Sequence, residues 1–520
     1  MQPGGVEPVG MSHGSLHLVA RVSLLLALIA TTLSVPGAAA MAEDSIVKSD
    51  NIELLGTLPS PGVFGARFRG EVMYVTGATG LTTYDVSDPR SPQLLGALPL
   101  PHFENEDVDL GGDILLISND AAESAGILYV IDISDPVSPQ LVAAHDMGGN
   151  VATAQVFGGP GHTASCVLGC TFAWVTDGSA IRVIDLRNPA APVNLGTFPT
   201  PAGGGIVTHD VQVDGNGLVW VTGFGGTFAY RLPEGYTGAG LGDLVAKTNA
   251  DGSSTYITEL GAGDGSKYND YIHHNSRRLA GSDVVYVTEE DYNRPGCRGA
   301  GSFQAWRLPL DPVTGQPTGV DLTPISQWTT ELLADTGNAA AVCSAHYFDV
   351  RHNVVAQGWY EQGVRLLDVS DPANIRQIGY LYTPQTATWA AHFPPTDPTG
   401  RVIYSLDASH GIDVLEWDRP TEGLLSVPKE PDPDPDPDPD PKCKDKDKDK
   451  DKGKGNDKGN GNGHDKKCEK EEEGNARSMR SSSNGAPTVV APILPQWRTG
   501  SPLGLPDRRF GYACRIVLSA

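Results

Sequence analysis

The stretch GLTTYDVSDPRSPQLLG, Gly80 to Gly96, decides the reading of this chain because it recurs. GILYVIDISDPVSPQLV follows from Gly126 to Val142, IDLRNPAAP from Ile184 to Pro192, and GVRLLDVSDPANIRQIG from Gly363 to Gly379. A phrase that returns at supersecondary spacing marks an array of like units, each too small to bury its own apolar face. In three copies an apolar run leads into an Asp-Pro turn, in the third copy of the four into Asn188-Pro189, and a second apolar run follows. Proline has no amide hydrogen to give a ladder and holds the residue before it extended, so the strand stops there. The aspartate just upstream, Asp132 in the second copy, is expected to accept hydrogen bonds from the turn amides.

Working outward, the unit from Glu106 to Pro139 reads as short strands parted by Gly111-Gly112-Asp113, a polar loop and the Asp-Pro turn, an antiparallel meander. EVMYVTGATGLTTYDVSDP and TFAWVTDGSAIRVIDLRNP repeat that order. LVWVTGFGGTFAYRLP and VVYVTEEDYNRPGCRGAGSFQAWRLP keep the strands but not the Asp-Pro turn; NVVAQGWYEQGVRLLDVSDP and RVIYSLDASHGIDVLEW complete the series. About seven four-stranded units predict an all-β fold, a seven-bladed propeller. Two long polar segments, Glu234 to Leu260 and Asp311 to Ala341, read as loops on one rim. The last unit stops at Trp417 without a fourth strand, whereas Glu53 to Leu58 (ELLGTL) matches the fourth-strand segment Gln93 to Leu98 (QLLGAL). An N-terminal strand completing the last blade would close the ring and remove two open sheet edges.

The ends read differently. Arg21 precedes VSLLLALIATTLSV and then the small residues Ala38, Ala40 and Ala42, the order of a secretory signal peptide over residues 1–42, with cleavage after Ala40 or Ala42. The run is shorter than the ~20 apolar residues that span a bilayer, so no transmembrane segment is expected after cleavage. The propeller is assigned to 43–420. Residues 421–475 form a Pro-Asp spacer and a Lys-Asp low-complexity linker, and 476–520 a disordered tail. The formal net charge is −25, and the segment from Lys429 to Asn475 is nearly balanced, so the acidity falls on the folded part. An acidic surface repels phosphate backbones and anionic lipid, which argues against nucleic-acid and membrane-surface roles. Seven cysteines are too few for a disulfide scaffold but matter in an oxidising compartment. Cys166 with Cys170, Cys297 with Cys343 and Cys443 with Cys468 are candidate pairs, leaving Cys514; six cysteines alone allow fifteen pairings.

The repeated phrase resembles the LVIVD repeat of secreted bacterial and archaeal β-propeller proteins, over most of Ile52 to Trp417. The match is close in four units and degenerate in three. The resemblance implies a propeller exported to the cell surface or envelope, with no settled activity and no catalytic residue to carry over.

Histidines supply a second recurrence. His162, His209, the pair His273 and His274, His346 and His392 each stand near the start of a unit, with His102 and Glu106 near that position in the second unit and Arg67 in the first. First strands line a propeller's channel, so residues distant in sequence converge there. Neutral imidazole suits copper, iron or zinc, and three or four such ligands with an open position would make a catalytic centre. Asp210 and Asp349 are candidates to orient an imidazole. Glu289-Glu290-Asp291 and Glu104-Asn105-Glu106-Asp107 lack the spacing of a calcium loop and read as solvated rim acids. No G-x-S-x-G, H-E-x-x-H or phosphate-binding loop is present. The sequence therefore points first to an extracellular or cell-surface binding module for an unidentified envelope ligand. The alternative is a metal-dependent oxidase or lyase with a multi-histidine channel site.

Overall fold

The computed structural model describes residues 46–419 apart from 61, 101–107, 120–125, 149–158, 206, 249–271, 292–300, 331–342 and 384–385. The signal peptide, the tail, His102 and Glu106 lie outside these residues. Seven antiparallel four-stranded blades follow one another along the chain. Their first strands are Val63–Arg69, Val108–Gly111, Pro160–Val167, Thr208–Val213, Ile272–Arg278, Ala345–Arg351 and Thr388–His392. Each first strand packs against those of the two adjacent blades, and the seventh packs against the first. The ring is closed around a channel lined by first strands.

Closure is made as the sequence predicts. Ile52–Pro59 is the fourth strand of blade 7, pairing antiparallel with Gly411–Trp417 from Ile52 opposite Trp417 to Pro59 opposite Gly411. The chain just before it, Val47–Lys48, adds a short fifth strand to blade 6 by pairing with Tyr382 and Leu381. One N-terminal segment thus straps two blades.

The Asp-Pro turns connect third strands to fourth strands, and their aspartates accept the amides expected of them. Asp132 accepts from Ser134 at 2.8 Å and Asp135 from Val137 at 3.0 Å. Asp85 accepts from Ser87 at 2.8 Å, Asp185 from Arg187 at 2.9 Å and Asp368 from Ser370 at 3.0 Å. The repeated phrase is a folding device at the outer edge, remote from the channel.

The two segments read as rim loops are corrected by the pairing. Asp243–Thr248 is the fourth strand of blade 4 and Asp321–Trp328 that of blade 5, and the two meet in parallel through Lys247 and Thr248 against Asp321 and Leu322. The Asp-Pro turn of blade 5 is only displaced: Asp311, followed by Pro312, accepts from Val313 and Thr314, both at 2.8 Å. Between blades the apolar faces of second and third strands interlock. Val219, Val221 and Phe228 of blade 4 pack on Phe172, Trp174 and Ile181 of blade 3 in one buried cluster. Cys166 and Cys170 form a disulfide across the first hairpin of blade 3. Cys343 is disulfide-bonded too; Cys297, Cys443, Cys468 and Cys514 lie outside the described residues.

Candidate functional site

Among the described residues six of the seven first strands, all but that of blade 2, carry a β-bulge near their entry, and it divides the channel into two tiers. In blades 3, 4 and 6 the shift falls between Pro160 and Ala164, Thr208 and Val211, and Ala345 and Phe348; in blade 5 it falls between His273 and Asn275. Past the bulge Ala164, Val211, Ser276 and Phe348 take equivalent places against their second strands. Two residues before each stand His162, His209, His274 and His346. The same place holds Phe64 in blade 1 and Trp389 in blade 7, counted from Ala66 and Ala391. In blade 2, Val108 marks the register and the sequence has Glu106 two residues earlier.

The four histidines of successive blades stand side by side. Ring centroids are 4.5 Å apart for His162 and His209, 4.1 Å for His209 and His274, and 3.9 Å for His274 and His346. Glu290, the last residue of the second strand of blade 5, faces the row. Its Oε2 is 3.4 Å from His209 Nε2 and 4.0 Å from His274 Nε2, and its Oε1 is 3.9 Å from His346 Nε2. His162 Nε2 and His209 Nε2 share a hydrogen bond at 3.0 Å. Tyr360 donates its hydroxyl to Glu290 Oε1 at 2.5 Å, and its ring lies 4.8 Å from His346. Burial alone would push the Glu290 carboxyl up, but the hydrogen bond from His209 and the imidazoles of His274 and His346 hold it well below the usual carboxylate range.

The backbone under this row is pinned from blade to blade. Ser118 of blade 2 donates to the carbonyl of His162 at 3.0 Å, Thr163 to that of His209 at 2.7 Å, and Thr222 to that of His274 at 2.7 Å. In blade 6, where valine would be the ordinary choice, Gln357 donates to the carbonyl of His346 at 3.0 Å. Each bulge carbonyl is satisfied by a polar side chain, so each imidazole leaves from a fixed point. His346 Nδ1 donates to the carbonyl of Trp389 at 2.8 Å. That fixes the tautomer with the lone pair on Nε2, the nitrogen on the Glu290 side.

Nitrogen and oxygen atoms of His209, His274 and Glu290 lie within 4.8 Å of one another, all three residues buried. Two ligand atoms at the ~2.1 Å typical of metal–imidazole bonds are roughly 3.0–3.4 Å apart at right-angled to tetrahedral angles. Within this set the 3.4 Å from Glu290 to His209 matches that spacing and the 4.0 Å from Glu290 to His274 is wider, while the flanking His162 stands 3.0 Å from His209. The donor set, two imidazoles and a carboxylate flanked by two further imidazoles, suits iron or zinc.

Two of the six histidines stand elsewhere. His273 is the strand neighbour of His274, so its side chain leaves on the opposite face. It lies buried with Nδ1 2.8 Å from Thr227 Oγ1 and its ring against Trp306, and burial holds its pKa down to about 3. His392 pairs with Tyr404, three residues beyond Trp389, and so belongs to the second tier. That tier is a ring of one residue per blade: Arg67, Asp109, Ser165, Gln212, Arg277, Asp349 and His392. All seven line one cavity of about 530 Å³. Asp349 thus pairs with Arg277 Nη1 at 3.1 Å in the second tier, and Asp210 accepts from Asn275 at 2.9 Å. Glu290, read from sequence as a rim acid, is the buried partner of the imidazoles. Its only signal was its place one step past the position held by Gly223 and Asp177 in neighbouring blades.

The sequence profile of the LVIVD repeat matches residues 121–146, the second half of blade 2. The chain carries an LVIVD repeat. In three dimensions that repeat is the third strand, Asp-Pro turn and fourth strand of a blade. No curated protein matches the chain. Among solved structures it is similar to the Cps50 (Swd1) β-propeller domain of Myceliophteria thermophila, with 10% identity and TM-score 0.48 over 71% of this chain and 100% of that one. It is also similar to the RRP9 WD40 repeats, with 9% identity and TM-score 0.46 over 71% and 98%. The propeller assignment rests on the strand pairing described above. Among the described residues no helix is long and apolar enough to cross a membrane.

Proposed function

We propose that this protein is an exported propeller enzyme of the oxidase or lyase class, built around a transition metal in its channel. The observation that carries the reading is the row of four imidazoles from four successive blades, in one register, facing a buried glutamate. His209, His274 and Glu290 would hold the ion, with His162 and His346 flanking it. A bound iron or zinc supplies a Lewis acid, and iron also a redox couple. The chain itself contributes bulge carbonyls that fix the imidazoles, Trp389, which sets the tautomer of His346, and Tyr360, which orients Glu290. A leader-like N-terminus and two disulfide-bonded segments support an oxidising destination.

The interaction-module reading draws support from the repeat architecture itself. It gives no reason to gather four imidazoles around a carboxylate inside the ring.

The test is elemental analysis of the full chain purified without a tag, before and after dialysis against Fe(II), Zn(II) or Co(II). About one equivalent of metal is expected, lost in the His209→Ala/His274→Ala double variant. Protein that takes up no metal, or a variant that retains it, refutes the metal centre. Secretion of the native chain, against retention on deleting residues 1–42, tests the export.

A further inference from the structure

The second tier of the channel has no role in the metal reading, yet it is built with equal care. Arg67 of blade 1 faces Asp109 of blade 2, Nε to Oδ1 at 3.8 Å, and Arg277 of blade 5 faces Asp349 of blade 6 at 3.1 Å. The two pairs repeat one design. Each aspartate accepts its next residue's amide, Leu110 or Val350, and also an amide one blade further on, Cys166 to Asp109 at 2.8 Å and Phe393 to Asp349 at 3.0 Å. The carboxylates are therefore fixed in place with lone pairs to spare, and Arg277, 39% exposed, has further N–H groups toward the cavity. Gln212 and Ser165 stand between the pairs on one side and His392 on the other. Phe68, half-buried, adds an aromatic surface to the wall.

Charge decides what fits. Two guanidinium groups and two carboxylates cancel, and burial holds His392 neutral with its pKa down to about 3. Arg278 and Asp214 in the same wall are paired at 3.2 Å. An anion meets a carboxylate beside each arginine, and a cation meets a guanidinium beside each aspartate. A ligand carrying hydroxyls that both donate and accept satisfies both members of each pair, and about 530 Å³ is the size of a small-molecule site.

We infer that this tier is a binding site for a neutral polyhydroxylated molecule of mono- or disaccharide size, its hydroxyls bridging the Arg67–Asp109 and Arg277–Asp349 pairs. The site is no more than about 10 Å along the strands from the imidazole row, three residues at ~3.3 Å each. It does not depend on the metal.

The test is titration of the full chain, metal-stripped and metal-loaded, with D-glucose, D-galactose, maltose, succinate and glycine betaine, by calorimetry and saturation-transfer NMR. Saturable binding of at least one sugar is expected, weakened at least about tenfold in Arg277→Gln, the loss of one charged hydrogen bond. Gln212→Ala, at a part-exposed side chain with no hydrogen bond to lose among the described residues, is expected to weaken it less, and circular dichroism melts report folding of both. No sugar binding, tighter binding of succinate or betaine than of any sugar, or sugar binding unchanged in both folded variants overturns the inference. Metal content is read separately, so failure of one site leaves the other standing.

Discussion

Replacing Ile52 with alanine tests whether the ring is held shut by its N-terminal strand. Ile52 is 2% exposed and packs with Leu366 and Leu381 of blade 6 and Leu415 and Trp417 of blade 7. The substitution removes three carbons, worth roughly 2.4 kcal/mol at ~0.8 kcal/mol each. A residual cavity term brings the expected loss to about 3–4 kcal/mol, within the range for large-to-small core changes. Glu53, the next residue, is exposed on the opposite face of the strand. Glu53→Ala should change stability by less than about 0.5 kcal/mol. Equilibrium urea unfolding followed by tryptophan fluorescence reads both, with Trp417 in the affected cluster. A loss below about 1 kcal/mol for Ile52→Ala, or equal losses for the two variants, would refute the closure argument.

Three further outcomes are expected. His410 bridges Asp407 at 3.2 Å and Asp413 at 2.9 Å; burial opposes its charge, but the two carboxylates raise its pKa from 6.5 to about 10. Its stabilisation, about 2 kcal/mol after allowance for solvent screening, is therefore full below pH 6.5 and lost as pH rises through about 10. His410→Gln should abolish that slope between pH 7 and 10 in urea titrations; an unchanged slope rejects it. Arg278 and Asp214 form a pair only 1% and 2% exposed, so Arg278→Met should cost about 3 kcal/mol by stranding a buried carboxylate. A loss below 1 kcal/mol in the same unfolding assay counts against that. Tyr360→Phe removes the hydroxyl that orients Glu290 and should weaken metal affinity by about 10–100-fold with an unchanged melting point; a chelator competition showing equal affinity contradicts the assigned role.

The blade plan was legible because it is written locally. Asp132 and Asp135 sit where their turn needs them, and Glu53 to Leu58 repeats a fourth strand outright. Fourth strands after longer connections were not, because Asp243–Thr248 and Asp321–Trp328 follow Gly- and Pro-rich stretches that mask their alternation. The histidines were recognisable as a group, yet their tiers were not. A single bulge changes which residues share a level, so three positions of offset separate His392 from the row, and one position sends His273 to the other face. Glu290 was hidden for another reason. It reaches the site from a second strand, and pairing, not spacing, brings it there.

The strap that begins the fold also sets the order in which it can be completed. Asn51 accepts a hydrogen bond from Asp418 at 2.8 Å, so the two ends of the propeller meet across almost its entire length. Bringing such distant segments together is slow, because the entropy of closing the loop must be met before the contact rewards it. Until then the last blade carries an open edge along Gly411–Trp417, a template for pairing with another chain. The first strand to be synthesised is the last to be seated, and the molecule is most prone to misassembly in that interval.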